Sequence, residues 1–306
     1  MRWYAEGPIS LFGARTPPSP YEAGESTFHG SLAAAAHRFK PDVIHVHWSH
    51  FAEQNLGALL ATGVRVTIRG HGFDFSPDLI KRLMDRPEIE RFYLFPRHAA
   101  ALPSSSRVTA IPAAVPLERL RPGTKNRTLV LRASAALPTK GLELFVRAAK
   151  RLTSFTFVLC LARANDREFE DRFSAFVRKQ GNPIDLRFGV PYDECFDLFR
   201  EAGIYLHTSG DSYPFGMPVS IAQALAAECF TLVRSVPGAD EHLGVTGALY
   251  RDEDHAVELI EATGAWSEED WMECREKAGG RARAYDAEAV LDPMYRDWVL
   301  ISKMSG

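Results

Sequence analysis

Short apolar runs alternate with longer amphipathic stretches along the chain, and the alternation is clearest in its second half. The short runs predict strands, and stretches with apolar residues three and four positions apart predict helices. The predicted strands are 128–133, 155–161, 185–188, 204–207 and 230–233. The predicted helices between them are 141–152, 166–180, 193–202 and 218–227. This order indicates βαβ units and a parallel sheet, which binds ligands at the carboxyl ends of its strands.

The first half shows the same alternation less regularly. We predict irregular backbone over residues 1–24, because the Pro-rich stretch Thr16–Pro20 suits neither a helix nor an inner strand. The elements predicted after it are helices at 25–39, 52–62 and 77–86, and strands at Val43–His47, Val64–Ile68, Phe92–Phe95 and Arg107–Ile111.

Two further segments complete this division of the chain. Pro112–Arg127 is rich in proline and charge, which is typical of a linker between domains. The tail, Glu268–Met304, is predicted to be helical. The aromatic residues predicted to anchor it are Trp271, Tyr285, Tyr295 and Trp298.

Composition narrows the class of protein. With 306 residues, 46% hydrophobic and 25% charged, the chain is long enough for two globular domains. A net charge of −3 gives no general attraction to nucleic acid or to anionic lipid. No apolar run approaches the roughly 20 residues that span a bilayer, and no signal peptide is evident. We therefore expect a cytoplasmic protein without a nucleic-acid partner, and peripheral contact with the inner membrane face stays open.

The four cysteines lie far apart, without a metal-binding spacing. Cys160 and Cys229 fall within apolar runs, which predicts buried free thiols and fits a reducing compartment.

The segment Ser209–Val233 carries the strongest chemical indication. A loop with Gly and Pro leads into an Ala-rich helix, and a helix N-terminus reached in this way can hold a phosphate. Arg132 ends a predicted strand, and Lys140 opens the next helix. A guanidinium and an ammonium together can neutralise a diphosphate leaving group without a metal. The alternative is that both are solvated surface cations.

Polar groups near the same loop can bind hydroxyls. Asp211 follows the predicted strand 204–207, and Gln223 lies within the following helix, so both can bind hydroxyls of a sugar or ribose. They can equally be a turn aspartate and a polar residue on a helix face. Gly216, Met217 and Val219 can supply backbone N–H donors to a phosphate.

Histidines cluster in the first half of the chain. His45 and His47 form an H-x-H on a predicted strand, which places both imidazoles on one face. This arrangement occurs in zinc hydrolases, so a metal site is a second hypothesis. His71, in the loop Arg69–Asp74, is predicted to face a cleft between domains. Asp252–Asp254 resembles a cation-binding D-x-D, but it directly precedes a helical stretch and is explained by helix capping.

Taken together, residues 37 to 300 resemble a GT-B glycosyltransferase of family 4. The segments that carry the resemblance are Lys40–His47, Val66–Asp74, Ala110–Pro122, Lys140-Gly141, Phe188–Glu194, Ser209–Ala226, Pro237–His242 and Thr246-Gly247. The sequence departs from the family at three points. Asp211 is the nearest residue to the first glutamate of its E-x7-E motif, Gln223 replaces the second, and Glu228 stands where glycine is usual.

The resemblance implies an α/β fold of two Rossmann-like domains with parallel sheets facing across a cleft. An acceptor-side domain is expected at 1–118, a nucleotide-sugar domain at 119–285, and a tail helix at 286–306 that packs back on the first domain. The first domain is expected to be incomplete, because the family's first strand and Gly-rich loop have no counterpart.

The implied reaction is transfer of a hexosyl unit from a nucleotide-diphosphate sugar to a glycan or lipid-linked acceptor, as in polysaccharide biosynthesis. Configuration is retained, and neither metal nor cofactor is expected. The implied catalytic residues are His71, Asp211, Arg132 and Lys140. The implied donor-binding residues are Arg132, Lys140, Val190, Asp211, Phe215, Gly216, Met217, Val219 and Gln223. Arg69, His71 and Asp74 are implied on the acceptor side. The alternative within the same fold is an inactive GT-B protein that binds a nucleotide or a protein partner.

Overall fold

A computed structural model describes residues 2–6, 9–13, 32–72, 74–162, 167–210 and 216–304, with the backbone alone for the first two ranges. The chain divides into two compact units. The first unit comprises Met1–Pro112 and Glu288–Gly306, and the second comprises Ala113–Ala287. The predicted helical residues 25–31, and the predicted site residues Asp211 and Phe215, lie outside the described residues.

The first unit is built on a sheet to which the described residues contribute six strands. They are β1 (Arg2–Glu6), β2 (Ile9–Gly13), β3 (Val43–His47), β4 (Arg65–Arg69), β5 (Ile89–Leu94) and β6 (Val108–Ala110), in that order across the sheet. Strands β3 to β6 are parallel, whereas β1 and β2 form an antiparallel pair beside β3. The prediction of irregular backbone was wrong for these two strands, because the prolines that motivated it come after them in the chain.

Helices of the first unit cover the apolar face of this sheet. They are α1 (Leu32–Phe39), α2 (Ser49–Gln54), α3 (Leu56–Leu60), α4 (Pro77–Met84) and α5 (Pro96–Ala100). Side chains from α1 to α4 pack with Ile44, Val46, Val66 and Ile68 in one core. The single helix predicted at 52–62 is two helices, because the chain breaks at Asn55, whose side chain donates to Phe51 O at 2.9 Å.

The second unit contains a fully parallel sheet in the part of the chain described, which confirms the predicted fold class. Its strands are β7 (Asn126–Ala135), β8 (Thr156–Ala162), β9 (Asp185–Phe188), β10 (Ala202–His207), β11 (Phe230–Arg234) and β12 (Ala248–Tyr250). Their order is β12-β11-β10-β7-β8-β9, so the direction of winding reverses between β7 and β10. In doubly wound sheets, ligands bind at the carboxyl ends of the strands at such a reversal.

Helices pack on both faces of the second sheet and enclose two hydrophobic cores. The helices from here to the chain end are α6 (Leu142–Arg151), α7 (Arg167–Lys179), α8 (Tyr192–Glu201), α9 (Val219–Ala226), α10 (Ala239–Leu243), α11 (Glu253–Ala262), α12 (Glu268–Ala282) and α13 (Ala287–Met304). The predicted thiols Cys160 and Cys229 are buried and free. Asp252 caps α11 by accepting from His255 N–H at 2.9 Å, which confirms capping for the D-x-D segment.

The prediction of a linker at Pro112–Arg127 was wrong. Ala113, Val115 and Leu120 are buried in a core of the second unit. The Val115 N–H donates to Tyr285 O at 2.8 Å, which ties this segment to the end of α12. Proline and charge dominate its composition, but its few apolar residues determine where it packs. The first unit consequently ends at Pro112, ahead of the expected residue 118.

The helical tail is interrupted by a short 3-10 turn at Arg283–Tyr285, between α12 and α13. Trp271, Tyr285 and Trp298 are buried as expected. Tyr295 was wrongly predicted as an anchor, since 42% of its surface is exposed.

The second face of the first sheet is polar and is covered by α13. His45, Thr67 and Tyr93 project from this face and are fully enclosed. Trp298 Nε1–H donates to Thr67 Oγ1 at 3.1 Å, and Tyr93 O–H donates to Asp297 at 3.2 Å. The last helix therefore supplies the partners that allow these polar groups to be buried.

No helix within the described ranges is both long enough and apolar enough to cross a membrane.

Candidate functional site

Two loops meet at the point of the second sheet where the winding reverses. One follows β7 and ends in the 3-10 turn Pro138–Lys140, and the other, Thr208–Gly210, follows β10. The Gly210 N–H donates to Thr139 O at 2.9 Å, and Thr208 Oγ1 donates to Lys140 O at 2.8 Å. These bonds fix the backbone that carries Lys140 against the loop that leads into the α9 segment.

Gly141 allows this close approach. Its φ is +60°, in the left-handed region, and a Cβ there would lie 2.9 Å from both C and O of Ser209. Glycine is therefore required at Gly141 for two reasons, its backbone conformation and the space that it leaves.

We expect Gly141→Ala to destabilise the protein more than Gly63→Ala. Gly63 also has a left-handed φ, +68°, but its Cβ would meet nothing within 4 Å. The left-handed backbone alone costs about 1 kcal/mol for alanine, and overpacking against Ser209 adds about 1–3 kcal/mol. Urea denaturation of both variants measures the difference. Equal losses would show that the two loops are not held together through this contact.

Lys140 is half-buried beside these loops. Burial and the charge of Arg132 lower the pKa of its ammonium to about 8. Burial and a neighbouring cation both disfavour the charged form, so an anion that binds here stabilises the ammonium.

Arg132 lies beneath the loops and is only 1% exposed. All five of its N–H donors have partners within the protein. Nη1 donates to Tyr205 Oη at 2.6 Å and to Ala133 O at 2.7 Å. Nη2 donates to Thr208 O at 3.0 Å and to Ser134 Oγ at 3.2 Å, and Nε donates to Thr208 Oγ1 at 3.4 Å. The structure therefore places Arg132 as a support for the loops, not as a group free to bind a phosphate directly.

The N-terminus of α9 lies near the same point. No side chain among the described residues caps this helix, which begins at Val219 after Pro218. Ser220, in its first turn, bonds to the hydroxyl of Tyr205, the residue that also receives Arg132. Uncapped N–H groups and the helix dipole favour an anion here. Of the predicted backbone donors, Gly216 and Met217 lie just before Pro218 and the start of α9.

A second part of the predicted site forms around Gln223 and Val190. Gln223 Nε2 donates to Tyr192 Oη at 2.9 Å. Tyr192 is 58% exposed and packs on Phe196 with ring centroids 4.4 Å apart. Val190 packs against the same core. Tyr192 was not predicted, although an exposed aromatic residue just after the carboxyl end of β9 could have indicated it.

Arg234 and Ser209 were also missed. Arg234 ends β11, the strand beside β10, and its Nη1 donates to Ser209 O at 2.7 Å. Ser209 is 4% exposed, and its Oγ has no partner among the residues described. Both could have been predicted as site residues. Each lies where an apolar run ends, and parallel sheets bind ligands at the carboxyl ends of their strands.

In the first unit, the H-x-H pair lies on one face of β3 as predicted. The rings of His45 and His47 are 4.8 Å apart, and His71 stacks on His47 at 6.0 Å. Within the part of the chain that the structure covers, no group of three or more His, Cys, Asp or Glu side chains is arranged to hold a metal ion.

Burial and the charge of Arg69 lower the pKa of all three imidazoles. The pKa of His71 falls to about 3, and that of His45 lies well below its usual value. These histidines are therefore neutral near pH 7, and Arg69 carries the positive charge of the cluster.

Asp74 closes the loop that carries His71. Its carboxylate accepts from the N–H and Oγ of Ser49, at the start of α2, and from His71 N–H at 2.7 Å. Trp48, just before this helix, has a φ of +72°, which is strained for a residue with a side chain. Asp74 thus fixes the loop geometry, whereas the acceptor-binding role expected for it stays a prediction.

Comparison with known proteins bears on the second unit and on the fold. Residues 126–268 match the family model described as glycosyl transferases group 1. Comparison with curated proteins gave no match.

Among solved structures, a glycosyltransferase from Rickettsia africae is 14% identical, with a TM-score of 0.69 over 90% of this chain and 83% of that one. Anabaena Alr3699/HepE in complex with UDP and glucose is 14% identical, with a TM-score of 0.71 over 89% and 83%. The α,α-trehalose-phosphate synthase (UDP-forming) from Burkholderia xenovorans in complex with glucose-6-phosphate is 16% identical, with a TM-score of 0.67 over 87% and 75%. The chain therefore has the GT-B type of α/β fold, with two Rossmann-like sheets, and its residues 126–268 are similar to the group 1 glycosyl transferases.

Proposed function

We propose that this protein is a glycosyltransferase that moves a hexosyl unit from a nucleotide-diphosphate sugar to a glycan or lipid-linked acceptor. The observation that carries the proposal is the placement of Lys140 and of the uncapped N-terminus of α9 after the adjacent strands β7 and β10, where the winding of the second sheet reverses. This arrangement lies within the residues that match the group 1 glycosyl transferases. A half-buried cation and free backbone donors at this place suit a diphosphate.

In this proposal each part of the site binds one part of the donor. Lys140 and the N–H groups at the start of α9 hold the diphosphate. Arg132 acts as a positioning residue that keeps the loop at Thr208 in place. Gln223, held by Tyr192, binds the ribose hydroxyls near Val190. Asp211, Phe215 and His71 keep the roles predicted from the sequence.

The chemistry requires neither a metal nor an ionised histidine. As the bond between the anomeric carbon and the diphosphate breaks, the departing oxygen gains negative charge, which Lys140 and the helix donors stabilise. The acceptor hydroxyl attacks from the face that the diphosphate leaves and gives its proton to the departing phosphate oxygen, so the configuration is retained. The resemblance to retaining glycosyltransferases supports this stereochemistry, and we place the reaction in the cytoplasm.

A thermal-shift series on the full chain tests the proposal. The probes are UDP-, GDP- and ADP-sugars, each with Mg²⁺ or with EDTA. Stabilisation by at least one donor, unchanged by EDTA, is expected because a ligand that binds only the folded state raises its stability. No response to any of them would overturn the donor site. Binding without release of nucleoside diphosphate, across a panel of acceptors, would favour the inactive binding module.

Donor affinity should depend on pH through Lys140. Its ammonium binds the diphosphate, so affinity is full below its pKa of about 8 and falls as the pH rises through that value. The contribution of Lys140 to stability without ligand should change in the opposite direction. Its ordinary pKa is 10.5, so between about 8 and 10.5 this residue binds more protons in the unfolded chain, and its own contribution to stability rises with pH there. Calorimetric titrations across this range measure the affinity, and a flat profile would contradict the role of Lys140.

A further inference from the structure

Arg69 is a buried cation that no carboxylate among the described residues compensates. It is 7% exposed and is the last residue of β4. Its Nη2 donates to Pro112 O at 2.8 Å, and its Nη1 lies 3.9 Å from Met294 Sδ. Its guanidinium also lies 5.6 Å from the ring centre of Phe95. These partners use only part of its five donors and supply no negative charge.

Two carboxylates that bond to neighbours of Arg69 are engaged elsewhere. The carboxylate of Asp74 accepts from Ser49 and from the His71 N–H. Asp297 lies 3.4 Å from Arg91 Nε and accepts from Tyr93 O–H. Since a buried charge is normally paired, the position of Arg69 is suited to an anion that the chain itself does not provide.

His45 adds a donor to this position. It is 1% exposed, and its Nδ1 lies 2.9 Å from Thr67 Oγ1, which already accepts from Trp298 Nε1–H. Indole nitrogen can only donate, so the hydroxyl satisfies all three groups when it donates its own proton to Nδ1. This arrangement places the imidazole proton on Nε2, and that atom has no partner among the residues described.

The other side chains of the cluster strengthen this electrostatic picture. His47 is the register partner of Arg69, and His71 stacks on His47. His71 Nε2 is a second buried nitrogen without a partner in the described chain. One fixed positive charge is thus surrounded by neutral imidazoles, two of which have an unused ring nitrogen.

We propose that Arg69 and His45, at the carboxyl end of the first sheet, bind an oxyanion, a phosphate or a carboxylate, carried by the acceptor. That the oxyanion belongs to an acceptor rests on the proposed function, whereas the anion site itself does not. The Arg69 guanidinium supplies the charge and its unused N–H donors, and His45 Nε2–H donates to a second oxygen. The acceptor is therefore anionic, such as a phosphorylated or acidic sugar or a lipid phosphate.

The test uses the full chain with Lys140→Met, so that binding of the probe at the donor site is weakened. Inorganic phosphate and acetate are titrated separately, against chloride at the same ionic strength, and the thermal midpoint is measured. Saturable stabilisation is expected. Arg69→Met should weaken anion binding at least about tenfold, because charge-assisted hydrogen bonds are lost. The matched control is Arg65→Met, which removes another arginine of β4, one that is paired with Glu90 of β5. This variant should bind the anions as before.

The two anions distinguish the sources. If phosphate alone raises the thermal midpoint, the acceptor carries a phosphate. If both anions raise it, the site also accepts an acceptor that carries a carboxylate. No response to either anion, or an equal response with Arg69→Met, would overturn the site. These outcomes do not depend on nucleotide binding, which is measured with unmodified Lys140.

Histidine NMR keeps the proposal falsifiable if Arg69→Met does not fold. In the ¹⁵N-labelled protein, with His45→Gln for assignment, His45 should be the Nε2–H tautomer, and its Nε2 resonance should shift on adding the anion. An Nδ1–H tautomer, or a resonance that phosphate and acetate leave unmoved, would contradict it.

Discussion

Replacing Lys140 with methionine is expected to weaken binding of the nucleotide-diphosphate donor by about ten- to a hundredfold, because a charge-assisted contact to the diphosphate is lost. Glycosyl transfer should fall at least as much, since the same ammonium stabilises the departing charge. The thermal midpoint without ligand should stay the same or rise slightly. Lys140 is half-buried near Arg132, and both its burial and that neighbour disfavour its charge. Calorimetry and initial rates measure the two effects.

Lys150→Met is the matched control. Lys150 lies in α6 and is exposed, and its ammonium donates to the side chain of Gln180 at 3.2 Å. It should leave donor affinity unchanged. Equal affinity in the Lys140 and Lys150 variants would remove Lys140 from the donor site and leave the α9 terminus as the proposed phosphate contact.

Replacing Arg132 with methionine should lower the free energy of unfolding by about 3–5 kcal/mol, because several buried acceptors lose a charged donor together. Tyr205, Thr208 and Ala133 would each lose a bond to the guanidinium. Donor binding should weaken as a consequence, since the loop at Thr208 would no longer be held. Urea denaturation gives the stability, and hydrogen exchange at Thr208–Gly210 reports on the loop.

Arg151→Met provides the comparison for Arg132. Arg151 is exposed at the end of α6 and pairs with Glu253 and Asp254, so its loss should change stability little. If Arg132→Met kept its stability but lost donor affinity, the guanidinium would reach the ligand directly, as the sequence had suggested.

The sequence predicted the second sheet well because its strands are short and apolar and its helices are amphipathic. The predicted carboxyl ends at residues 133 and 207 brought Lys140 and the loop after β10 to one place. The role of Arg132 was less predictable. We had expected Arg132 at the end of a strand. Instead, β7 continues to Ala135, so Arg132 lies within the strand and its side chain is enclosed.

The first unit was harder to predict, because long-range pairing decides its structure. β1 and β2 are strands through pairing with each other and with β3, which local composition does not indicate. The enclosed polar face of β3 to β5 likewise depends on Trp298 and Asp297, which are distant in sequence. Sequence reasoning identified His45 and His47 on one face, but it could not show that a distant helix would cover them.

The covering of that polar face by α13 has a consequence for biosynthesis. The second unit is one continuous stretch, Ala113–Ala287, so all of its strands are synthesised before α13. The first unit must wait for Trp298, which alone in the described chain supplies the indole donor to Thr67. Until α13 has been synthesised and has folded, the nascent first sheet therefore exposes the imidazole and hydroxyl groups that the folded protein encloses, and its maturation is tied to the arrival of that helix.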